Sequence, residues 1–397
     1  ADERGLDILG LFGWAHGGHD RDYPEYRPDS QMGGREVLTE AIARVQKRGK
    51  RVILYANGVF IDAASKFYTE HGHEAICAKP NAQPYVWFFD KFRNSSVPVF
   101  VQACPGSDVW YERLLALGRQ AKELGADGIL FDSVAAVGTS KCFTQTHRHK
   151  NPAQAYAQCR MQIVHCLVEE LRRDNPEFIV MTEALIGSLA RDLVLFHGLG
   201  NGFGYADPGP NRTAFLEMFR YTFPEVFVTQ REPCPMLTRN RANYACMYGL
   251  RHEIESRYVP DVKYLLEGIV PTAADYSDCN SPPHVALMLS MPPKEAAAYM
   301  RAVIYLERRH ADLLWNGRFV DTENFEIEGE GVVAKAYRGG NKLGVVVWNH
   351  TKQPRSVKLR VPGHELQSVD EPGADTKPMA ESPIPAETVR LYIWAAR

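Results

Sequence analysis

Through roughly its first two-thirds the chain alternates short apolar runs with amphipathic helical stretches, and this constrains the fold more than any other feature. Such alternation belongs to a parallel sheet whose strands are joined by crossover helices. Asp7 to Trp14 reads as a buried strand, followed by Val37, Leu38, Ala41, Ile42 and Val45 at helical spacing and a stop at Gly49. The strand Arg51 to Ala56 comes next, then, after an excursion, Pro98 to Gln102 and a helix with Trp110, Leu114, Leu117, Ala121 and Leu124 on one face. Gly128-Ile129-Leu130-Phe131 runs into Asp132, a helix is predicted from Pro152 to Arg173, and Phe178-Ile179-Val180-Met181 runs into Thr182-Glu183. Val226 to Val228 makes a further strand, Leu265 to Val270 is a candidate strand, and Lys294 to Leu314 is a helix. Six or seven barrel strands can be counted rather than eight, which suggests a barrel whose first strand is missing from the chain.

From Gly317 onward the period changes to two. Val332–Tyr337 and Leu343–Trp348 flank the turn Arg338-Gly339-Gly340-Asn341, a hairpin signal, and Ser356–Val361 and Thr388–Ile393 alternate as half-buried strands do. The expected architecture is a (β/α)8 TIM-type barrel over residues 1–316, followed by an antiparallel β-sandwich over 317–397.

A formal net charge of −2 gives no electrostatic footprint for nucleic acid or an anionic membrane surface. No apolar run reaches the ~18 residues of a membrane span. The eight cysteines include no CxxC pair, so a zinc ribbon is not indicated and free thiols are expected.

In a (β/α) barrel, reactive groups sit at the C-terminal ends of the strands. Asp132 and Glu183 occupy that position on consecutive strand–helix units, within reach of one sugar; two carboxylates are what glycoside hydrolysis needs. The alternative is that Asp132 caps the following segment and Glu183 pairs with an arginine. Trp14 to Tyr23 is the richest polar cluster, and in it Trp14, His16, His19 and Asp20 are candidate substrate-binding residues. His16, His19 and Asp20 also have the residue types of a metal site, but a Gly-Gly loop is not a rigid ligand frame; no catalytic metal and no cofactor are expected. Asn57 and Arg231 are further substrate-binding candidates, with a turn residue and a structural Arg–Glu pair as the alternatives. His147 and His149 read as a solvated basic loop, and Gly200–Gly204 lacks the strand and lysine of a phosphate loop.

Phe12-Gly13-Trp14 through Asp20, Tyr23 to Asp29, Gly33-Gly34, Val52 to Gly58, Cys104-Pro105-Gly106-Ser107 and Ala126 to Asp132 together resemble a bacterial family of uncharacterised barrel proteins related to glycoside hydrolases. The tail is similar to the β-domain that follows the barrel in α-amylase-like and endo-α-N-acetylgalactosaminidase-like families. The resemblance implies a nucleophilic aspartate ending the fourth strand and an acid/base glutamate ending the fifth, which fall on Asp132 and Glu183. The third acidic residue of the α-amylases has no clear match. The resemblance thus implies a retaining glycosidase on an α-linked oligosaccharide or polysaccharide, in polysaccharide degradation. The competing expectations are a non-catalytic carbohydrate-binding barrel and a metal-assisted lyase or hydrolase using the His16/His19/Asp20 loop. A periplasmic or secreted location is favoured over a cytoplasmic one, and an additional N-terminal β-domain or chain is a further expectation.

Overall fold

The computed structural model describes residues 1–89, 96–138, 140–193, 195–197, 214–233, 238–279, 291–374 and 376–397, with the side chains of 214–215 and 231–233 outside that description. Two compact units form, one of residues 7–197 with 278–280, the other of residues 1–6, 198–277 and 281–397.

The unit built on residues 7–197 runs β1 (Ile8–Leu11), α1 (Gly34–Gln46), β2 (Arg51–Asn57), β3 (Phe60–Asp62), α2 (Lys66–Ala75), β4 (Val86–Phe88), β5 (Val99–Gln102), α3 (Asp108–Glu123), β6 (Gly128–Asp132), α4 (Arg160–Arg172), β7 (Ile179–Glu183) and β8 (Leu195–His197). Strands β1, β2, β6, β7 and β8 lie side by side in that order, all parallel. Local chemistry sets the helices. The Ser107 Oγ accepts from the Trp110 N–H at 3.2 Å to start α3, and Trp110, Leu114, Leu117 and Ala121 form its buried face. Gly128 is fixed by close approach, because a Cβ there would lie 2.5 Å from the Ile179 carbonyl oxygen, which would force β6 and β7 apart.

Two strand expectations change in this unit. Pro98–Gln102 is not a barrel strand: β5 pairs antiparallel with both β3 and β4 in a separate three-stranded sheet. A short apolar run buried on both faces reads alike in either kind of sheet, so its partners had to decide. The strand expected over Asp7 to Trp14 ends at Leu11, where the loop that carries the polar cluster departs.

The other unit holds α5 (Ala214–Thr222), β9 (Phe227–Pro233), α6 (Arg239–Met247), β10 (Arg251–Glu255), α7 (Val259–Glu267), α8 (Pro293–Arg309) and α9 (Ala311–Leu314), with β9 and β10 paired in parallel. The candidate strand Leu265–Val270 is overturned. Its first residues belong to α7, which is opened by Pro260 and the Asp261 carboxylate on the Arg257 and Tyr258 N–H groups, and closed by Gly268 at φ +72°. Strand β10 reads Arg-His-Glu-Ile-Glu and carries almost no apolar signal.

The tail is antiparallel throughout. It runs β11 (Arg318–Asp321), β12 (Glu326–Glu328), β13 (Val332–Gly339), β14 (Lys342–Asn349), β15 (Lys358–Arg360), β16 (His364–Asp370) and β17 (Thr388–Ala396). A five-stranded sheet β11-β13-β14-β17-β16 faces a two-stranded β12-β15 ribbon across a core of Val320, Leu343, Val345, Val347, Ile384 and Tyr392. The hairpin register sets Gly339 opposite Lys342, so the turn is Gly340-Asn341, with Gly340 at φ +58° as a tight hairpin requires. The β-domain packs on α6: the Tyr337 hydroxyl donates to the Met247 carbonyl at 2.7 Å, and the Trp348 indole N–H donates to Asn240 Oδ1 at 3.1 Å.

Candidate active site

Register builds the site. Asn57 pairs with Asp132 across β2 and β6, and Glu183 pairs with His197 across β7 and β8. Between these pairs β6 and β7 run in step up to Phe131 opposite Thr182, so Asp132 and Glu183 are the next residues of each strand. Asn57, Asp132, Glu183 and His197 therefore stand at one level on four adjacent parallel strands, where strand alternation gives all four the same face. The ring of Phe12, just past β1, lies 4.8 Å from Tyr55 and 5.7 Å from His197. In a flat sheet β1 and β8 would be about 19 Å apart, four spacings of ~4.8 Å. The sheet is therefore curled, and the carboxylate level lies on its concave side.

Asp132 sits among donors. Its Oδ2 accepts from the Tyr55 hydroxyl at 3.0 Å, the Ser133 hydroxyl at 2.9 Å and the Asn57 amide at 3.3 Å. Burial, with the negative charge of Asp132 beside it, holds the Tyr55 phenol well above its ordinary range, so it keeps its proton and serves as a donor. Asn57 is itself fixed, since its Oδ1 accepts from the Val59 N–H at 3.0 Å and the Phe60 N–H at 2.8 Å. Non-glycine residues in the left-handed region follow each carboxylate, Ser133 and Ala184 both at φ +66°. Strain of this kind, ~1–3 kcal/mol per residue, persists only where surrounding structure enforces it, and it clusters at functional sites.

The polar loop after β1 contributes unequally. The Tyr23 hydroxyl donates toward Asp20 Oδ1 at 2.9 Å or toward the Tyr55 hydroxyl at 3.1 Å; it has one proton and can serve one of them at a time. The His19 Nδ1 is 3.1 Å from Asp20 Oδ2, and the His19 ring lies 4.6 Å from Tyr55. His19 and Asp20 thus join the Asp132 side of the cavity through Tyr55 and Tyr23. His16 points elsewhere, exposed and 4.0 Å from Asp29. Trp14 is buried, its indole N–H donating to the Tyr55 carbonyl at 2.9 Å and its ring stacked on Tyr26. Arg231 lies in β9 and its side chain is outside the described residues, as is Gly200–Gly204. Among the described residues, the His16–Asp20 loop does not bring three metal-ligating groups together.

Three residues at this site escaped the sequence reading: Phe12, Tyr55 and His197. The first two read as core aromatics in apolar runs. His197 ends a three-residue strand, Leu-Phe-His, and its signal in the sequence was a polar residue closing the apolar run Leu193-Val194-Leu195-Phe196.

A curled parallel sheet with two carboxylates at its strand ends, followed by an antiparallel β-domain, defines the class: a (β/α) barrel with a C-terminal β-domain, a fold that glycosidases use. The chain belongs to the family described as domain of unknown function DUF6259, which matches residues 6–230. No curated protein sequence matches it. Among solved structures, the maltogenic α-amylase AmyB of Thermotoga neapolitana is similar over 99% of this chain and 89% of its own, at 12% identity and a TM-score of 0.62. The trehalose-6-phosphate hydrolase of Bacillus licheniformis is similar over 99% and 93%, at 11% identity and a TM-score of 0.61. For the α-N-acetylgalactosaminidase NagBb of Bifidobacterium bifidum the likeness covers 88% of this chain and 49% of that one, at 15% identity and a TM-score of 0.61.

Proposed function

We propose that this protein is a retaining glycoside hydrolase of α-linked oligosaccharides or polysaccharides, with Asp132 as nucleophile and Glu183 as general acid/base, in a catalytic barrel over 1–316 followed by a β-domain over 317–397. The observation that carries the reading is the shared level of Asn57, Asp132, Glu183 and His197 at the strand ends. The donors around Asp132 suit a carboxylate that must stay ionised to attack the anomeric carbon. Its Oδ2 is occupied by Tyr55, Ser133 and Asn57, which leaves Oδ1 for the sugar. Glu183 would protonate the departing oxygen, then deprotonate the water that releases the sugar from Asp132. His19, Asp20 and His197 flank this pair as hydrogen-bonding groups for sugar hydroxyls.

Two isosteric variants assayed on aryl α- and β-glycosides test the assignment. Asp132→Asn should lose nearly all turnover on every substrate, because the covalent step has no substitute. Glu183→Gln should lose much less on substrates with good leaving groups, and added azide should give a glycosyl azide of retained configuration. Glycan binding by the wild-type chain without turnover on any glycoside would favour the carbohydrate-binding alternative. Full activity in Asp132→Asn would sink the mechanism.

A further inference from the structure

Where the segment after β5 meets the long loop after β6, a second group of reactive side chains comes together. Beyond α2 the chain runs beside the end of β5: Ile76 bridges Ala103, the Cys77 N–H donates to the Gln102 carbonyl at 2.7 Å, and the Cys104 N–H donates to the Ala75 carbonyl at 2.8 Å. The long loop after β6 is tied to this frame, with Phe143 N–H on the Ala78 carbonyl at 2.8 Å and Arg148 N–H on the Gly106 carbonyl at 2.9 Å. One ligand-type atom from each of Cys104, Cys142, His147 and His149 then lies within 4.8 Å of every other. The expectation of a solvated basic loop at His147 and His149 is overturned: His147 is only 8% exposed, and both cysteines are fully buried.

The surrounding atoms are arranged as outer partners of a metal site. The His147 Nε2 is 2.9 Å from the Glu74 carbonyl oxygen, and its Nδ1 is 3.4 Å from the Cys142 sulfur. A carbonyl can only accept, so Nε2 carries the proton and Nδ1 turns a lone pair toward the cluster, the tautomer a metal-bound histidine needs. The Gly106 N–H donates to the Cys104 sulfur at 3.4 Å. The His149 Nε2 is buried and has no hydrogen-bond partner, an orphaned ring nitrogen that a bound ion would take up.

We propose that Cys104, Cys142, His147 and His149 bind a zinc-class divalent ion in a closed structural site. Two thiolates and two imidazoles are the donor set of tetrahedral zinc, and with four protein ligands no position remains for substrate or water. The role follows from the connections. Among its described residues the loop 133–151 forms no helix or strand, a length at which an organising feature is expected. Three of the four ligands lie on it, so the ion would fasten this loop, which begins beside Asp132, to the end of β5. The sequence hides the site because Cys104 is remote from the other three and no CxxC pair exists.

The test uses the full chain, purified without chelator and then reduced and stripped. Elemental analysis should find near-stoichiometric zinc as purified, and Co²⁺ added to the stripped chain should give the thiolate charge-transfer and tetrahedral ligand-field bands of mixed sulfur–nitrogen coordination. Cys142→Ser and His149→Ala should reduce retained zinc to background and abolish those bands, whereas Cys166→Ser on α4, outside the cluster, should keep both. The wild-type measurements need no variant to fold. The proposal is overturned if the wild-type chain neither carries zinc nor binds added Zn²⁺ or Co²⁺, if mass spectrometry finds a Cys104–Cys142 disulfide, or if the variants bind metal as the wild type does.

Discussion

The Tyr55 hydroxyl meets Oδ2 of Asp132 at 3.0 Å, reaching across from the neighbouring strand two residues below the Asn57–Asp132 pair. This hydrogen bond makes the interior of β2 part of the site. Removing the hydroxyl in Tyr55→Phe takes a donor from the carboxylate while leaving the ring stacked on Phe12. A hydrogen bond to a charged group is worth ~1.5–3 kcal/mol, so kcat/KM on an aryl glycoside should fall by roughly ten- to a hundredfold. Unchanged turnover would detach Tyr55 from the mechanism.

Asn57 should separate structure from chemistry. Asn57→Ala leaves the Val59 and Phe60 N–H groups without their acceptor and should destabilise the chain by about 2–4 kcal/mol in urea unfolding. Asn57→Asp keeps that acceptor but places a second carboxylate beside Asp132. Its urea midpoint should stay closer to wild type while activity is lost. Equal destabilisation of both variants would contradict this division of roles.

Gly128→Ala tests the spacing of the two strands that end in the carboxylates. The added methyl would press on the Ile179 carbonyl at 2.5 Å, and backbone cannot swing aside as a flexible side chain could. Overpacking of this kind costs ~1–3 kcal/mol, and displacing β7 against β6 should lower kcat by more than the loss of folded protein accounts for. Wild-type kcat per folded molecule would show that the pair tolerates the shift.

Of this geometry, the strand-end placement of Asp132 and Glu183 was legible in sequence because Asp132 closes the run Gly128–Phe131 and Glu183 follows Phe178–Met181 with only Thr182 between, and a carboxylate there has little reason to be in the core. Tyr55 was hidden by the same logic, since an aromatic inside a buried strand looks like packing until its hydroxyl is placed. The β-domain could be read from its two-residue period and hairpin turn. Strand β10 could not, because its five residues carry a single aliphatic side chain, and Pro98–Gln102 could not be assigned to a sheet from burial alone.

The β-domain contains a buried ion pair that should be expensive to break. The Arg390 guanidinium, 1% exposed, reaches the Glu371 carboxylate at 2.7 Å and also donates to the Ser382 and Pro383 carbonyls. Arg390→Met should cost ~3–5 kcal/mol by stranding the Glu371 charge, and adding Glu371→Gln should return part of it. Additive losses in the double variant would refute the coupling.

Asp370 gives the fold an acid-sensitive fastening. Burial opposes its ionisation, but hydrogen bonds from His310 at 2.8 Å and Arg309 at 3.0 Å outweigh that and hold its carboxyl below the ordinary value. A depressed carboxylate stabilises above its unfolded value of ~3.9 and loses that contribution as pH falls through the lower folded value. Asp370→Asn should therefore be about 1 kcal/mol less stable than wild type at neutral pH, and the gap should close as pH falls below the ordinary aspartate range. A gap independent of pH would assign the loss to packing.

Ser133 and Ala184 turn the chain sharply at the residue after each carboxylate. Each turn is an elbow that separates a strand whose register is dictated by its neighbouring strands from a loop held by other contacts. Replacements in 185–193 can reshape what stands beside the carboxylates while the position of Glu183 stays set by β7. The carboxylates and the loop beside them are thus separate parts of the chain, and the second can change without rebuilding the first.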